Sequence, residues 1–246
     1  MKKNLKSILA MTPYRVLRRT AINRFQANSE TLQTLRDRGF QPAFVIDGGA
    51  NVGDFARETA RHFPAARFEL IEPQPGCKPR LDTLSKVLDA RVHPCALTSD
   101  SETHSIHLRT DASQTSTGAH VVDPDAPDQS GVISVPAITL DALFGGKWSP
   151  DQRGLLKLDL QGFELEALRG GMNTLVNIDV ILIEVSFYRL SKEPSIAELI
   201  AFLSDAGFEL HDIASISARQ RDNRAYQADF LFVRAGSLLT KDTAWQ

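Results

Sequence analysis

A glycine-rich turn at residues 47–53 carries the strongest chemical signal in the chain. The apolar pair Val45-Ile46 leads into D-G-G-A-N-V-G, and a helical pattern begins at Asp54. At the carboxyl end of a buried parallel strand, small residues let a ligand approach the backbone, and the following helix N-terminus favours negative charge. The sequence therefore predicts a cofactor site on this turn.

The turn departs from the dinucleotide fingerprint G-x-G-x-x-G, because Ala50 stands where that pattern continues with glycine. The carboxylate of Asp47 would crowd a pyrophosphate, but it suits a cofactor with a cationic amino group and a sulfonium. A second acid, Glu72, ends the next strand pattern about twenty residues later, where an acid accepts hydrogen bonds from ribose hydroxyls. This spacing leaves a nicotinamide dinucleotide and S-adenosylmethionine both open, as well as a turn that binds neither.

A third block, K-L-D-L-Q-G-F-E at residues 157–164, ends another strand pattern and opens a helix. Asp159 follows the strand and should face the same crevice as Asp47. Lys157 lies in the middle of the strand, where a buried lysine needs a partner. We expect Asp159 to act in chemistry, although it would also cap the following helix well.

Glu184 ends a fourth strand pattern and is the second candidate for a general base. Glu164 and the loop residues His104 and His107 are weaker candidates. Three carboxylates around one crevice can hold a divalent ion, but no ligand pair here has diagnostic spacing. The sequence therefore predicts no metal site.

Short apolar runs that alternate with helical patterns predict a doubly wound α/β sheet. Most of the runs end in an acid, and a continuous apolar run is typical of a strand buried on both faces. Two late runs are joined only by a loop and should pair antiparallel at one edge of the sheet. The expected strands are 43–47, 67–72, 155–159, 180–184, 208–213 and 228–234, and the expected helices are 29–38, 54–62, 81–88, 164–175 and 196–206.

A polar segment at residues 111–130 interrupts this pattern, and we expect it to be a long loop. Loops of that length in a compact domain are usually lids or substrate-binding segments. Cys77 and Cys95 lack a C-x-x-C spacing and are interpreted as small core residues.

The length of 246 residues suits one large domain, and we expect a basic helical extension over residues 1–38 followed by a Rossmann-like domain over 39–246. Of the 28 lysines and arginines, seven lie in residues 1–24 with no acid, which leaves 21 against 30 acids elsewhere. Such a leader is either a solvated helix or a peripheral membrane contact. No apolar run is long enough to span a bilayer or to form a signal peptide core, which predicts a cytoplasmic protein.

Several blocks of the sequence resemble the FkbM family of S-adenosylmethionine-dependent methyltransferases. They are D-G-G-A-N-V-G-D-F at 47–55, E-P at 72–73, T-L-D at 139–141, K-L-D-L-Q-G-F-E at 157–164 and Q-A-D-F-L-F at 227–232. The resemblance covers residues 40 to about 235. Gln161 departs from the family pattern, which more often has glutamate at this position.

The resemblance implies a Rossmann-like class I methyltransferase fold: a seven-stranded, mostly parallel sheet with an antiparallel edge strand and helices on both faces. It also implies O-methylation of a hydroxyl on a sugar or other hydroxylated small molecule, with Asp159 and Glu184 as the catalytic candidates. The residues that it assigns to S-adenosylmethionine are Asp47, Gly48, Gly49, Asn51, Gly53, Glu72 and Pro73.

Three other functions stay open at this point. An NAD-dependent oxidoreductase would need a clean glycine fingerprint and usually a tyrosine or lysine pair in the crevice. A nucleic-acid methyltransferase is disfavoured by the acidic body and by the lack of a Pro-Pro-aromatic turn after residue 159. A methyltransferase-like scaffold that binds cofactor without turnover would share all of these motifs.

Overall fold

Seven strands form the main sheet in a computed structural model of the chain, which describes residues 24–125, 127–188 and 194–241. The strands in chain order are β1 (Phe44–Gly48), β2 (Arg67–Ile71), β3 (Ala90–His93), β4 (Ala96–Leu97), β5 (Ser105–Arg109), β6 (His120–Val122), β7 (Val132–Ile138), β8 (Gly154–Leu158), β9 (Ile178–Ser186), β10 (Phe208–Ala218) and β11 (Ala225–Arg234). The α-helices are α1 (Arg24–Asp37), α2 (Asp54–His62), α3 (Lys78–Leu84), α4 (Leu140–Phe144), α5 (Glu164–Arg169), α6 (Met172–Leu175) and α7 (Ile196–Asp205).

The order of the main sheet is β10-β11-β9-β8-β1-β2-β3. The strands β3, β2, β1, β8 and β9 are parallel to one another, whereas β11 pairs antiparallel with both β9 and β10. The predicted fold class is therefore confirmed, including the antiparallel pairing at one end of the sheet. Since β1 and β8 are adjacent and central, their carboxyl ends bring residues 47–53 and 157–164 together.

Two hydrophobic clusters cover the two faces of this sheet. Successive residues of β1 alternate between them, with Phe44 and Ile46 in one cluster and Val45 in the other. Helices α4 to α7 pack on the first cluster, and α1 to α3 pack on the second. None of the helices in the described part of the chain is long and apolar enough to cross a membrane.

The predicted long loop, residues 111–130, contains one strand, β6, which joins β4, β5 and β7 in a second sheet. Its order is β4-β7-β5-β6, and β6 lies within the segment expected to be irregular. The alternating apolar residues of β5 and β7, such as Leu108 and Val135, form a small core of their own. A strand of three residues such as β6 is too short to show a pattern of alternating apolar and polar residues in the sequence. It forms through its hydrogen-bonded pairing with β5.

Two predicted helices also have different bounds. The helix expected over 164–175 is divided into α5 and α6 at Gly170 and Gly171. A Cβ atom at Gly170 would lie 2.2 Å from the carbonyl oxygen of Thr98, so close packing requires glycine there. The helix expected over 81–88 begins earlier, at Lys78, with Pro79 in its first turn, and ends at Leu84.

Helix α1 begins before the predicted residue 29 and packs against the sheet. Leu32 and Leu35 are buried as predicted, and both belong to the same cluster as Val45. The domain boundary at residue 38 stays a prediction, and most of the basic leader, residues 1–23, lies outside the described residues.

A buried ion cluster fastens β2 and β3 to the segment after α4. Glu69 is 1 % exposed; His93 Nε2 lies 2.7 Å from its Oε2, and the Lys147 ammonium bonds its Oε1. Burial raises the pKa of Glu69, but the hydrogen bonds from His93 and Lys147 and the lysine charge outweigh it, so this pKa lies below its ordinary value.

We predict that Glu69→Gln lowers the free energy of unfolding by about 1.5–3 kcal/mol at pH 7, the range for hydrogen bonds to a charged group. Because the folded-state pKa is depressed, this stabilisation is present at neutral pH and is lost as the pH falls through the folded pKa. Urea denaturation at several pH values should show the two proteins converging on acidification. A difference in the free energy of unfolding between the two proteins that does not change with pH would contradict this account.

Candidate active site

The central feature of the site is an ion pair between neighbouring strands. Asp47 on β1 and Lys157 on β8 are register partners, and Lys157 Nζ lies 3.1 Å from Asp47 Oδ1. Asp47 is fully buried and Lys157 is 7 % exposed. Burial raises the pKa of Asp47, and the nearby ammonium acts in the opposite direction. The partner that the sequence required for Lys157 is therefore Asp47.

Lys157 also fixes the glycine-rich turn. Its ammonium donates to the carbonyl oxygens of Gly48 and Gly49, at 3.2 and 2.8 Å. Gly49, Asn51 and Gly53 have positive φ angles of 76°, 46° and 84°. A Cβ atom at Gly49 would lie 2.0 Å from the carbonyl oxygen of Asp159. The turn thus needs glycine there both for its backbone conformation and for its contact with the end of β8.

Glu72 lies beside this turn at the end of β2 and is 5 % exposed. Its Oε2 accepts a hydrogen bond from the Asn51 backbone N–H at 2.8 Å, and its Oε1 accepts from the Gln74 backbone N–H at 2.9 Å and side chain at 3.2 Å. An ionised carboxylate has about four acceptor positions, and these bonds occupy three. Oε2 can therefore accept a further hydrogen bond from a ligand.

Three cavities meet at the carboxyl ends of the strands. The first, about 690 Å³ with its open mouth, lies between these ends and the second sheet and is lined by Glu72, Pro73, Gln74, Ile106, Leu108, Val121 and Asp159 among others. The second, about 1030 Å³, includes Gly49, Asn51, Phe55, Lys157, Asp159 and Gln227. The third, about 510 Å³, includes Glu184, Ser186, Ser195, Tyr226 and Gln227. Gln161 lines all three.

The two predicted catalytic carboxylates converge where these cavities meet. Gln161 Nε2 donates to Asp159 Oδ1 and to Glu184 Oε2, each at 2.9 Å. Gln227 Nε2 donates to the other oxygen of Glu184. The Asp159 side chain is 21 % exposed and lies 3.9 Å from the Lys157 ammonium, so it can meet a ligand from either of the first two cavities.

Of the other predicted site residues, Asp47, Gly48 and Gly53 shape the site without lining its cavities. Asp47 is buried beneath the turn. Gly48 and Gly53 pack closely against hydrophobic side chains. A Cβ atom at Gly48 would lie 2.8 Å from the Leu158 side chain, and one at Gly53 would lie 2.4 Å from the Leu84 side chain. Pro73 lines the first cavity beside Glu72.

Glu164 supports the turn that follows β8. It is 4 % exposed and accepts hydrogen bonds from the backbone N–H groups of Leu160 and Gly162, at 2.7 and 3.1 Å. Burial raises its pKa to about 7. His104 is exposed, and His107 points to the face of β5 opposite Ile106 and Leu108, which line the first cavity. Glu164 also lines the third cavity beside Glu184, whereas neither histidine lines any of the three cavities.

The T-L-D block at residues 139–141 is structural. The Thr139 side chain caps α4 by accepting from the Ala142 N–H at 3.0 Å. Asp141 accepts hydrogen bonds from the backbone N–H groups of Asn173 and Thr174 at 3.0 and 2.7 Å, which joins α4 to α6. Neither residue lines the three cavities.

Gln74 is not among the predicted site residues, because no motif in the sequence marks it. The side chain of Gln74 donates to the Ser116 carbonyl at 3.0 Å and accepts from the Thr110 hydroxyl at 2.6 Å. Asn51 Nδ2 donates to the Thr115 carbonyl at 3.1 Å. These bonds hold residues 110–119 over the first cavity, in agreement with the predicted position of this segment near the site.

Comparison with known proteins identifies the family. The model of the methyltransferase FkbM domain matches residues 47–210, which is more than half of the chain, and the chain belongs to this family. Its cofactor is S-adenosylmethionine and its activity is methyl transfer. Among curated proteins, no sequence matches the chain.

Solved structures with a similar fold include an S-adenosylmethionine-dependent methyltransferase from Clostridium acetobutylicum, with 6 % identity, a TM-score of 0.49 and coverage of 96 % of this chain and 99 % of that one. Magnesium protoporphyrin IX methyltransferase from Synechocystis has 10 % identity, a TM-score of 0.48 and coverage of 95 % and 97 %. Precorrin-6y C5,15-methyltransferase from Geobacter metallireducens has 12 % identity, a TM-score of 0.46 and coverage of 90 % and 93 %.

We predict that Lys157→Met destabilises the protein by about 3–5 kcal/mol, because it leaves the buried Asp47 carboxylate without its cation. The double variant Asp47→Asn with Lys157→Met should recover at least half of this loss. Urea denaturation measures both effects, with the exposed Lys86→Met as a control. Equal stability of Lys157→Met and the wild type would show that the pair contributes little.

We predict that S-adenosylmethionine binding depends on the ionisation of Glu72. Burial raises the pKa of Glu72, opposed by the hydrogen bonds from Gln74 and Asn51, so acidification should protonate it at a higher pH than an ordinary glutamate. Protonation removes an acceptor for the ribose, and affinity should fall as the pH falls through this raised pKa. Glu72→Gln should bind about 1.5–3 kcal/mol more weakly near pH 8, with a flatter pH profile.

Isothermal titration calorimetry with S-adenosylmethionine between pH 8 and pH 5 measures this dependence. If the wild type and Glu72→Gln have identical affinities and identical pH profiles, Glu72 does not contact the cofactor.

Proposed function

We propose that this member of the FkbM family is an O-methyltransferase that acts on a hydroxyl of a sugar or another hydroxylated small molecule. The observation that carries the proposal is the position of Asp159, which lines both the first and the second cavity and is linked through Gln161 to Glu184. A hydroxyl acceptor must lose its proton during transfer, and a carboxylate at this junction can receive it.

The residues of the first cavity fit S-adenosylmethionine. Glu72 has an acceptor position free for the ribose hydroxyls, and Ile106, Leu108 and Val121 supply apolar walls for the adenine. Gly49 and Asn51 line both this cavity and the second, so they are suited to hold the methionine end. When bound, the cofactor supplies a methyl group activated by a sulfonium.

Asp47 would act on the methionine end through Lys157 and the turn, because it is buried and lines none of the cavities. Its charge keeps the Lys157 ammonium in place, and this ammonium holds the carbonyl groups of Gly48 and Gly49. Gly48, Gly53 and Pro73 complete the cofactor site as shape-determining residues.

In the reaction, Asp159 would orient the acceptor hydroxyl and receive its proton. The third cavity, with Glu184, Ser186, Ser195 and Tyr226 on its walls, offers the hydrogen-bonding groups that a hydroxylated acceptor needs. Glu184 is held at both oxygens by the amides of Gln161 and Gln227, so it is better suited to fix the acceptor than to exchange a proton freely. Contact of residues 1–24 with an anionic membrane surface, which would place a lipid-linked acceptor near the site, stays a prediction.

We predict that Asp159→Asn lowers kcat by about 100-fold or more, roughly 2.7 kcal/mol, with little change in S-adenosylmethionine affinity. Asparagine keeps the shape of the side chain and can still accept the hydrogen bond from Gln161. The measurement is S-adenosylhomocysteine release with a panel of monosaccharides, glycosides and hydroxylated aromatics, with calorimetry for cofactor affinity.

Glu184→Gln is the matched comparison and should raise KM for the acceptor more than it lowers kcat. A larger loss of kcat in Glu184→Gln than in Asp159→Asn would make Glu184 the base. Cofactor binding without turnover on any hydroxylated compound, but with turnover on an amine, would overturn the proposed acceptor class. Cofactor binding without turnover on either would favour a non-catalytic scaffold.

A further inference from the structure

The N-terminal helix α1 contributes a polar side chain to the second cavity. Leu32 is buried in the core, and Asn28 lies one helical turn before it on the same face of the helix. Asn28 is half-buried and lines the second cavity together with Gly49 and Asn51. The match to the family begins at residue 47, so it assigns no role to this helix.

The side-chain carbonyl of Asn28 lacks a hydrogen-bond donor. Its Oδ1 is shielded from solvent, and no donor within residues 24–125, 127–188 and 194–241 lies within hydrogen-bond distance of it. Buried carbonyl oxygens in proteins are almost always paired, because nothing else compensates for the lost hydration. Among the described residues that line this cavity, only Lys157 is basic, and its ammonium already bonds Asp47 and the glycine-rich turn. A ligand in the cavity can supply the missing donor.

We propose that Asn28 binds the methionine end of S-adenosylmethionine, with its Oδ1 accepting a hydrogen bond from the α-ammonium group. Gly49 and Asn51 line both the first and the second cavity, so a cofactor whose adenosine occupies the first cavity reaches the second with its amino-acid end. Asn28 does not line the third cavity, which is the proposed place of the acceptor. The inference rests on the proposed position of the cofactor and does not depend on the class of acceptor.

The amide of Asn28 can present its oxygen to the cavity by turning about the Cβ–Cγ bond. Neither amide atom has a hydrogen-bond partner among the described residues, so this rotation breaks no bond within them. An ammonium group has three donors and can pair with this oxygen while it also meets other acceptors. On this proposal α1 belongs to the cofactor site, and a domain boundary at residue 38 would separate one cofactor ligand from the others.

The experiment compares two ligands that share the adenosine and the thioether. S-Adenosylhomocysteine carries the ammonium and the carboxylate of the amino-acid end, whereas 5′-methylthioadenosine lacks both. Calorimetry on the full-length protein should show that Asn28→Ala binds S-adenosylhomocysteine about 10-fold or more weakly than the wild type, as expected for a lost hydrogen bond to a charged group. Its affinity for 5′-methylthioadenosine should be unchanged.

Three further variants define the contact. Asn28→Asp keeps an acceptor oxygen and should recover at least half of the binding free energy that Asn28→Ala loses. Gln33→Ala removes a side-chain amide from an exposed position on the same helix and should match the wild type. Glu72→Gln should weaken both ligands, because Glu72 is assigned to the ribose that they share. Unchanged binding of both ligands by Glu72→Gln would contradict the proposed position of the cofactor separately from the role of Asn28.

The proposal is overturned if Asn28→Ala binds S-adenosylhomocysteine as the wild type does, or if it loses affinity for both ligands equally, because an equal loss indicates a distorted helix. A larger loss in Asn28→Asp than in Asn28→Ala would also overturn it, since that result makes the methionine carboxylate the partner of residue 28. Circular dichroism and thermal melting establish that each variant is folded, and Asn28→Ser serves as the test if Asn28→Ala does not fold.

Discussion

The ion pair between Asp47 and Lys157 is the interaction on which the candidate site depends. A carboxylate with no exposure to water is tolerated only when a cation or hydrogen bonds compensate for the lost hydration. Because β1 and β8 are adjacent and in register at these two residues, the compensation comes from the neighbouring strand. The same ammonium holds two carbonyl groups of the glycine-rich turn, so the pair fixes the turn as well as neutralising the acid.

The other acids of the site are held mainly by neutral donors. Gln74 supports Glu72, Gln161 joins Asp159 to Glu184, and Gln227 holds the second oxygen of Glu184. An amide donates to a carboxylate without cancelling its charge, whereas an arginine or lysine in the same place would. This arrangement leaves negative charge at the junction of the three cavities, where it can assist an acceptor that must lose a proton.

The second sheet forms the wall of the first cavity opposite the strand ends. Its residues Ile106, Leu108 and Val121 face the cavity, and Gln74 and Asn51 hold the adjoining segment in place. Thus the binding surface has two origins: polar groups from the ends of β1, β2 and β8, and apolar groups from an insertion between β3 and β8.

The sequence by itself determined the fold class, most strands of the main sheet and the turn at residues 47–53, because buried strands and glycine turns depend on local apolar runs and on φ angles that few residues adopt. It also brought Asp47, Glu72, Asp159 and Glu184 to one edge, since carboxyl ends of parallel strands share an edge. Only the tertiary structure decided which acids reach the cavities. Asp47 is buried against Lys157, and Glu164 accepts hydrogen bonds from the backbone of its own turn. Asp159 is joined to Glu184 through Gln161. Such contacts depend on side-chain directions across neighbouring strands, and spacing along the chain does not encode these directions.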